Sequence, residues 1–138
     1  MANAEFQHVR LSMVNDVAVV EIRTRDITGS LPAQELGHEL AMVTAQAWAK
    51  RLVINFRRVS FLSSTGFAAI FKLLSRARVE GREVKLCEMD PGVRLGAEIV
   101  GLDKVAEIHN NEAAALRAFA QARADAEPVR HEAAHHNL

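Results

Sequence analysis

The constraint that most limits this chain is a short apolar run, Arg51-Leu-Val-Ile-Asn-Phe56, followed closely by the polar cluster Ser63-Ser64-Thr65-Gly66. A strand with no polar alternation is buried on both faces, the pattern of a central strand in a parallel sheet. Parallel neighbours need crossover connections, usually helices. The residues after the hydroxyl cluster supply one: Phe67, Ile70, Phe71, Leu74 and Ala77 recur at helical spacing to about Val79, where Glu80-Gly81 stops the period. A strand, a tight connection and a helix of this kind place the chain among α/β folds.

The flanking segments extend that unit. Glu5 to Val14 reads as a strand, Asn15-Asp16 as a tight turn, and the β-branched Val17–Ile22 as its hairpin partner. Arg23 to Ser30 reads as a loop. Pro32 suits the first turn of a helix carrying Leu36, Leu40, Val43 and Ala47 through Trp48. Glu83 to Glu88 alternates as a strand. Asp90-Pro91-Gly92 opens a third helix with Val93, Ala97 and Val100, closed by Gly101. Val105 to Ile108 is a last short strand, and Asn110 or Asn111 caps a final helix with Ala114, Leu116, Phe119 and Ala120. The expectation is an α/β domain over residues 1–126, with a mixed β-sheet of about four to five strands and helices mainly packed on one side. The predicted core holds Val53, Ile54, Phe56, Phe61, Leu62, Ile70, Leu74, Val84 and Leu86. From Glu127 the period is lost, so residues 127–138 are expected to be a disordered polar tail.

Charge and composition remove several functional classes. Lys plus Arg is 17 and Asp plus Glu is 17, so no broad electrostatic grip on nucleic acid or an anionic membrane is expected. The single cysteine, Cys87, rules out an internal disulfide and a thiolate metal cluster, and its apolar strand makes it an inert core thiol. With no secretory leader and no apolar run of about 18 residues, the expected location is cytoplasmic. Oligomeric state is not read from the sequence.

The chemistry that the chain advertises lies at the hydroxyl cluster. A helix N-terminus carries unpaired N–H groups and partial positive charge. Ser63, Ser64 or Thr65 can cap it, and a phosphate would be stabilised there. Arg51 precedes the strand, and Arg57 and Arg58 flank the loop, where a guanidinium would suit a phosphate or an acidic partner. Gly66 allows close packing beside the loop, and Trp48 is expected to pack. The surroundings of Ser64 are not Gly-x-Ser-x-Gly, and His8, His38 and His109 have no legible pairing with it, so no enzyme, metal or cofactor is expected. His131-Glu-Ala-Ala-His135 matches a zinc-protease pattern but lies in the tail with no third ligand.

Taken together, Ile54-Asn-Phe56, Val59-Ser-Phe-Leu62 and Ser63-Ser-Thr-Gly66 resemble the STAS domain of bacterial anti-sigma factor antagonists. Gly81-Arg-Glu-Val-Lys-Leu86, Pro91-Gly-Val-Arg94, Ile99-Val-Gly-Leu-Asp-Lys-Val105 and Glu112-Ala-Ala-Ala-Leu116 are similar to further segments of that family, in the same order. Ser63 and Asn55 stand where the family usually has Asp. The resemblance implies a protein that binds an anti-sigma factor serine kinase and is switched off when Ser64 is phosphorylated, with Ser63 and Thr65 as neighbouring alternatives. It implies partner contacts through Ser63, Ser64, Thr65, Gly66 and Phe67, with Arg57 and Arg58 beside them. The alternative is a STAS scaffold, or an accessory subunit of a transporter or signalling complex, with no phosphorylation cycle.

Overall fold

A computed structural model describes residues 6–122 of the chain. The predicted start of the first strand at Glu5, the tail and the His131–His135 motif lie outside the described residues. Five strands form the main sheet in the order β1-β2-β4-β6-β7: Val9–Val14, Val17–Ile22, Arg51–Asn55, Glu83–Cys87 and Glu107–His109. β1 is antiparallel to β2, and every later pairing is parallel. The hairpin turns at Asn15 and Asp16, whose φ angles of 50° and 71° suit residues that tolerate the left-handed region.

Helices α1 (Ser30–Thr44), α2 (Ser64–Val79) and α3 (Pro91–Ile99) cover one face of the sheet. The even-numbered residues Ala18, Val20, Ile22, Leu52, Ile54 and Leu86 meet them there, all within 1% of complete burial. The other face belongs to α4, residues 112–122, whose Ala115 and Phe119 close over Val17, Val19, Val53 and Cys87. β4 therefore is buried on both sides, as its apolar run requires. Lys85 reaches from β6 over the Phe119 ring at 4.6 Å and donates to Glu107 at 2.9 Å, so a cation seals the edge of the smaller core.

Several elements differ from the sequence reading, each for a local reason. The expected loop Arg23–Ser30 contains a two-residue strand, β3 (Asp26–Ile27), paired in parallel with β5 (Phe61–Leu62). Alternation along β5 turns Leu62 inward and leaves Phe61 50% exposed, although Phe61 was expected in the core. α1 stops at Thr44 instead of running through Trp48, which is exposed. Beyond it, the side chain of Arg82 donates to the carbonyls of Gln46 and Ala49 and replaces the helical partners. On α2 the core position belongs to Leu73, with Leu74 half-buried. Val84 is likewise half-buried, and Val100 at the end of α3 is exposed. A 3-10 turn at Leu102–Lys104 buries Leu102 and delays the last strand to Glu107–His109.

Candidate functional site

The hydroxyl cluster sits where β5 hands the chain to α2. Ser63 has extended backbone angles and is the N-cap of the helix. Its backbone N–H donates to the carbonyl of Ile27, so the β3–β5 pair anchors the cap. Its Oγ accepts from the Gly66 N–H at 3.2 Å. Ser63 Oγ also lies 2.9 Å from Thr65 Oγ1, and Thr65 Oγ1 donates to the Gly29 carbonyl at 3.1 Å. Each hydroxyl has one proton. A carbonyl can only accept, so the Thr65 proton goes to Gly29 and the Ser63 proton must go to Thr65. The chain of donors ties the start of α2 to Gly29, the N-cap of α1.

Ser64 is the exception within this cluster. It is the first residue of α2, it is exposed, and among the described residues its hydroxyl has no hydrogen-bond partner. The backbone around it is tightly placed. A Cβ on Gly66 would collide with the Leu62 side chain and come within 3.3 Å of Ile27, so only glycine lets the helix start this close to the β3–β5 pair. Gly66 and Phe67 are buried, the latter at 6% exposure. Expected beforehand as a contact residue, Phe67 instead packs beneath α3, where a Cβ on Gly96 would stand 3.1 Å from its ring. Its ring offers no surface to a partner; it holds α3 beside the loop.

The two arginines after β4 converge on a carboxylate instead of on the hydroxyls. Arg57 Nη2 donates to Glu21 Oε2 at 2.7 Å, and Arg58 Nε lies 3.7 Å from the same oxygen. The bond to Glu21 and its charge hold the Arg57 guanidinium above its ordinary pKa. Asn55 is 1% exposed and knits the opposite face: its Nδ2 donates to Glu112 Oε1 at 2.8 Å and its Oδ1 accepts from the Arg57 N–H at 2.8 Å. Glu88 in turn accepts from the Glu112 N–H at the start of α4. An amide is needed here because it can donate to a carboxylate, which an Asp could not. Burial, followed by the charges of Glu88 and Glu112, pushes the neighbouring Cys87 thiol up to about 12. Glu21, Glu88 and Glu112 were not singled out from the sequence; the register that sets Glu21 beside Asn55 and Asn55 beside Cys87 brings this row together.

The five-stranded mixed sheet, covered by helices on both faces, can be set against known folds. The STAS domain family model matches residues 12–115, and the chain belongs to that family. A curated relative from Bordetella bronchiseptica, named "Putative anti-sigma factor antagonist BtrV", is 30% identical over 93 residues, covering 67% of this chain and 79% of that protein. Among solved structures, a variant of Moorella thermoacetica RsbS aligns with a TM-score of 0.69 at 21% identity, covering 85% of this chain and 98% of the other. The phosphorylated form of the Bacillus cell fate determinant SpoIIAA aligns with a TM-score of 0.59 at 19% identity, covering 80% and 98%. This chain is thus a STAS domain similar to anti-sigma factor antagonists. No helix among the described residues is long and apolar enough to cross a membrane.

Proposed function

We propose that this chain is a cytoplasmic anti-sigma factor antagonist that regulates transcription by binding, without catalysis of its own. Its partner is an anti-sigma factor with serine kinase activity, engaged through the exposed start of α2, and phosphorylation of Ser64 ends the contact. The observation that carries this reading is the isolation of Ser64. It is the hydroxyl with an uncommitted proton in a rigid cluster, exposed at the first position of a helix. The relative named as an anti-sigma factor antagonist supports the partner class.

The physics of the switch follows from position. A phosphoryl group adds about −1.5 to −2 charges at neutral pH. At the N-terminus of α2 that charge meets free N–H groups and the positive end of the helix dipole, and the domain stays folded. A partner surface fitted to a small hydroxyl instead meets a bulky, strongly hydrated anion. The change is therefore felt at the contact and not in the core.

Incubation with a candidate partner kinase and ATP, followed by site mapping with mass spectrometry, tests this reading. The expected product carries phosphate on Ser64; Ser64→Ala abolishes labelling and keeps partner binding, and Ser64→Asp weakens it. Absence of phosphate from Ser63–Thr65, together with full binding by Ser64→Asp, would overturn the switch and leave a scaffold that binds without a phosphorylation cycle.

A further inference from the structure

α1 and α2 lie side by side on the sheet, and their outer surfaces leave a groove of about 510 Å³. The residues that line it fall at helical three- and four-residue steps on both helices, from Ser30 to Ala41 and from Thr65 to Arg76. The groove therefore follows the helices for roughly 16 Å, at about 1.5 Å of rise per residue. Ala33, Gly37, Ala41 and Ala69 line it with small side chains, and a Cβ on Gly37 would touch the Ala69 Cβ at 3.6 Å. Low side chains in two parallel rows leave a trough into which the ridge of a third helix fits.

Charge decides what kind of helix fits. Lys72 and Arg76, one turn apart on α2, stand on one wall, and His38 stands on the other. No carboxylate lines the groove, and neither Lys72 nor Arg76 has an ion-pair partner among the described residues. The acids of α1 point elsewhere. Glu39 accepts from the backbone N–H groups of Gln7, His8 and Val9, and Glu35 bonds to His8. Among the described residues, no Phe, Tyr or Trp lines the groove as a stacking platform for successive bases.

We infer that the α1–α2 groove is a docking site for an acidic amphipathic helix of a partner protein. Its small residues enter between the rows, and its carboxylates, one turn apart, pair with Lys72 and Arg76. Thr65 lines the end of the groove next to Ser64, so a partner seated here reaches the exposed start of α2. Occupancy of the groove does not require phosphorylation of Ser64.

The experiment is an amide NMR titration of the full chain with an alanine-based helical peptide of about 16 residues carrying glutamate at every fourth position. The glutamine version of the peptide serves as the control. The expected result is saturable shifts centred on Ala33, Gly37, Ala41 and Ala69, at least tenfold weaker binding of the glutamine peptide, and at least tenfold weaker binding by Lys72→Glu/Arg76→Glu. Both changed residues are exposed, and a dispersed spectrum of the variant checks that it is folded. Absence of saturable binding, equal binding of the two peptides, or shifts centred away from the groove would each overturn the inference. None of these outcomes involves a kinase, so they leave the Ser64 reading untouched.

Discussion

Two helices of this domain begin at the same end of the sheet and begin differently. α3 follows β6 and opens on Asp90, whose carboxylate accepts from the Val93 N–H at 2.8 Å, with Pro91 at the first helical position. α2 follows β4 and β5 and opens on Ser63, whose hydroxyl accepts from Gly66 at 3.2 Å, with Ser64 in the place of the proline. An Asp cap already sets a full negative charge against the helix dipole, and proline removes an N–H that an anion would want. The α3 start is complete as it stands. The α2 start is capped by a neutral group and keeps its positive end available, with an unbonded hydroxyl at its surface. The difference teaches that a neutral cap can stabilise a helix start without neutralising it, which leaves that end able to take an anion.

The largest effect that would sharpen this comparison comes from the glycine in each first turn. At Gly66 an added methyl meets Leu62 and Ile27, whereas at Gly92 the nearest atom is Asp90 Oδ1 at 3.6 Å. Gly66→Ala should lose about 1–3 kcal/mol to overpacking, which outweighs the helix propensity of alanine. Gly92→Ala should be neutral or stabilising by up to about 1 kcal/mol. Urea titrations of both variants measure this, and equal behaviour would show that the α2 start is no more tightly seated than that of α3.

The caps come next. Asp90→Ala should cost about 1–2 kcal/mol, because it removes both a short hydrogen bond and a favourable charge. Ser63→Ala should cost about 0.5–1 kcal/mol by the same measurement. It should also free the Gly66 N–H from its cap bond, visible as faster amide exchange at Gly66. A larger loss at Ser63 than at Asp90 would break the ranking.

The smallest effect concerns the thiol that precedes α3 and the hydroxyl that opens α2. Cys87 ends β6 fully buried, and its thiol is pushed up to about 12, whereas Ser64 is exposed. In the folded domain iodoacetamide should leave Cys87 unmodified at neutral pH and label it only after denaturation. The sign of the pH dependence follows. The folded state holds the thiol proton more tightly than the unfolded chain, whose cysteine titrates near about 8.5. This contribution is therefore intact below that value and is lost as pH rises toward about 12. Cys87→Ala should flatten the alkaline fall in stability, seen in denaturant titrations at increasing pH.

Periodicity alone carried much of the architecture. The unbroken apolar run Leu52–Ile54 could only be a strand covered on both faces, and the spacing of Phe67, Ile70 and Ala77 could only bury one side of a helix. Such signals are local, because burial imposes a period of two or of 3.6 on neighbouring residues. Turn chemistry at Asn15-Asp16, a helix start at Asp90-Pro91-Gly92, and caps within Ser63–Thr65 and at Asn110 or Asn111 were legible for the same reason; the structure assigns the caps to Ser63, Asp90 and Asn111. The hydroxyl cluster was legible as a candidate, but which of its hydroxyls is left without a partner was not. That assignment needed the Gly29 carbonyl, which α1 brings to Thr65 across 36 positions of sequence. The partnering of Arg57 with Glu21, the burial of Asn55 against Glu112 and the outward turn of Phe61 likewise depend on strand register and on which elements meet. Propensity and period act between neighbours along the chain. The destination of each polar side chain was decided by packing between distant segments, where a buried donor or acceptor must find whatever partner the fold supplies.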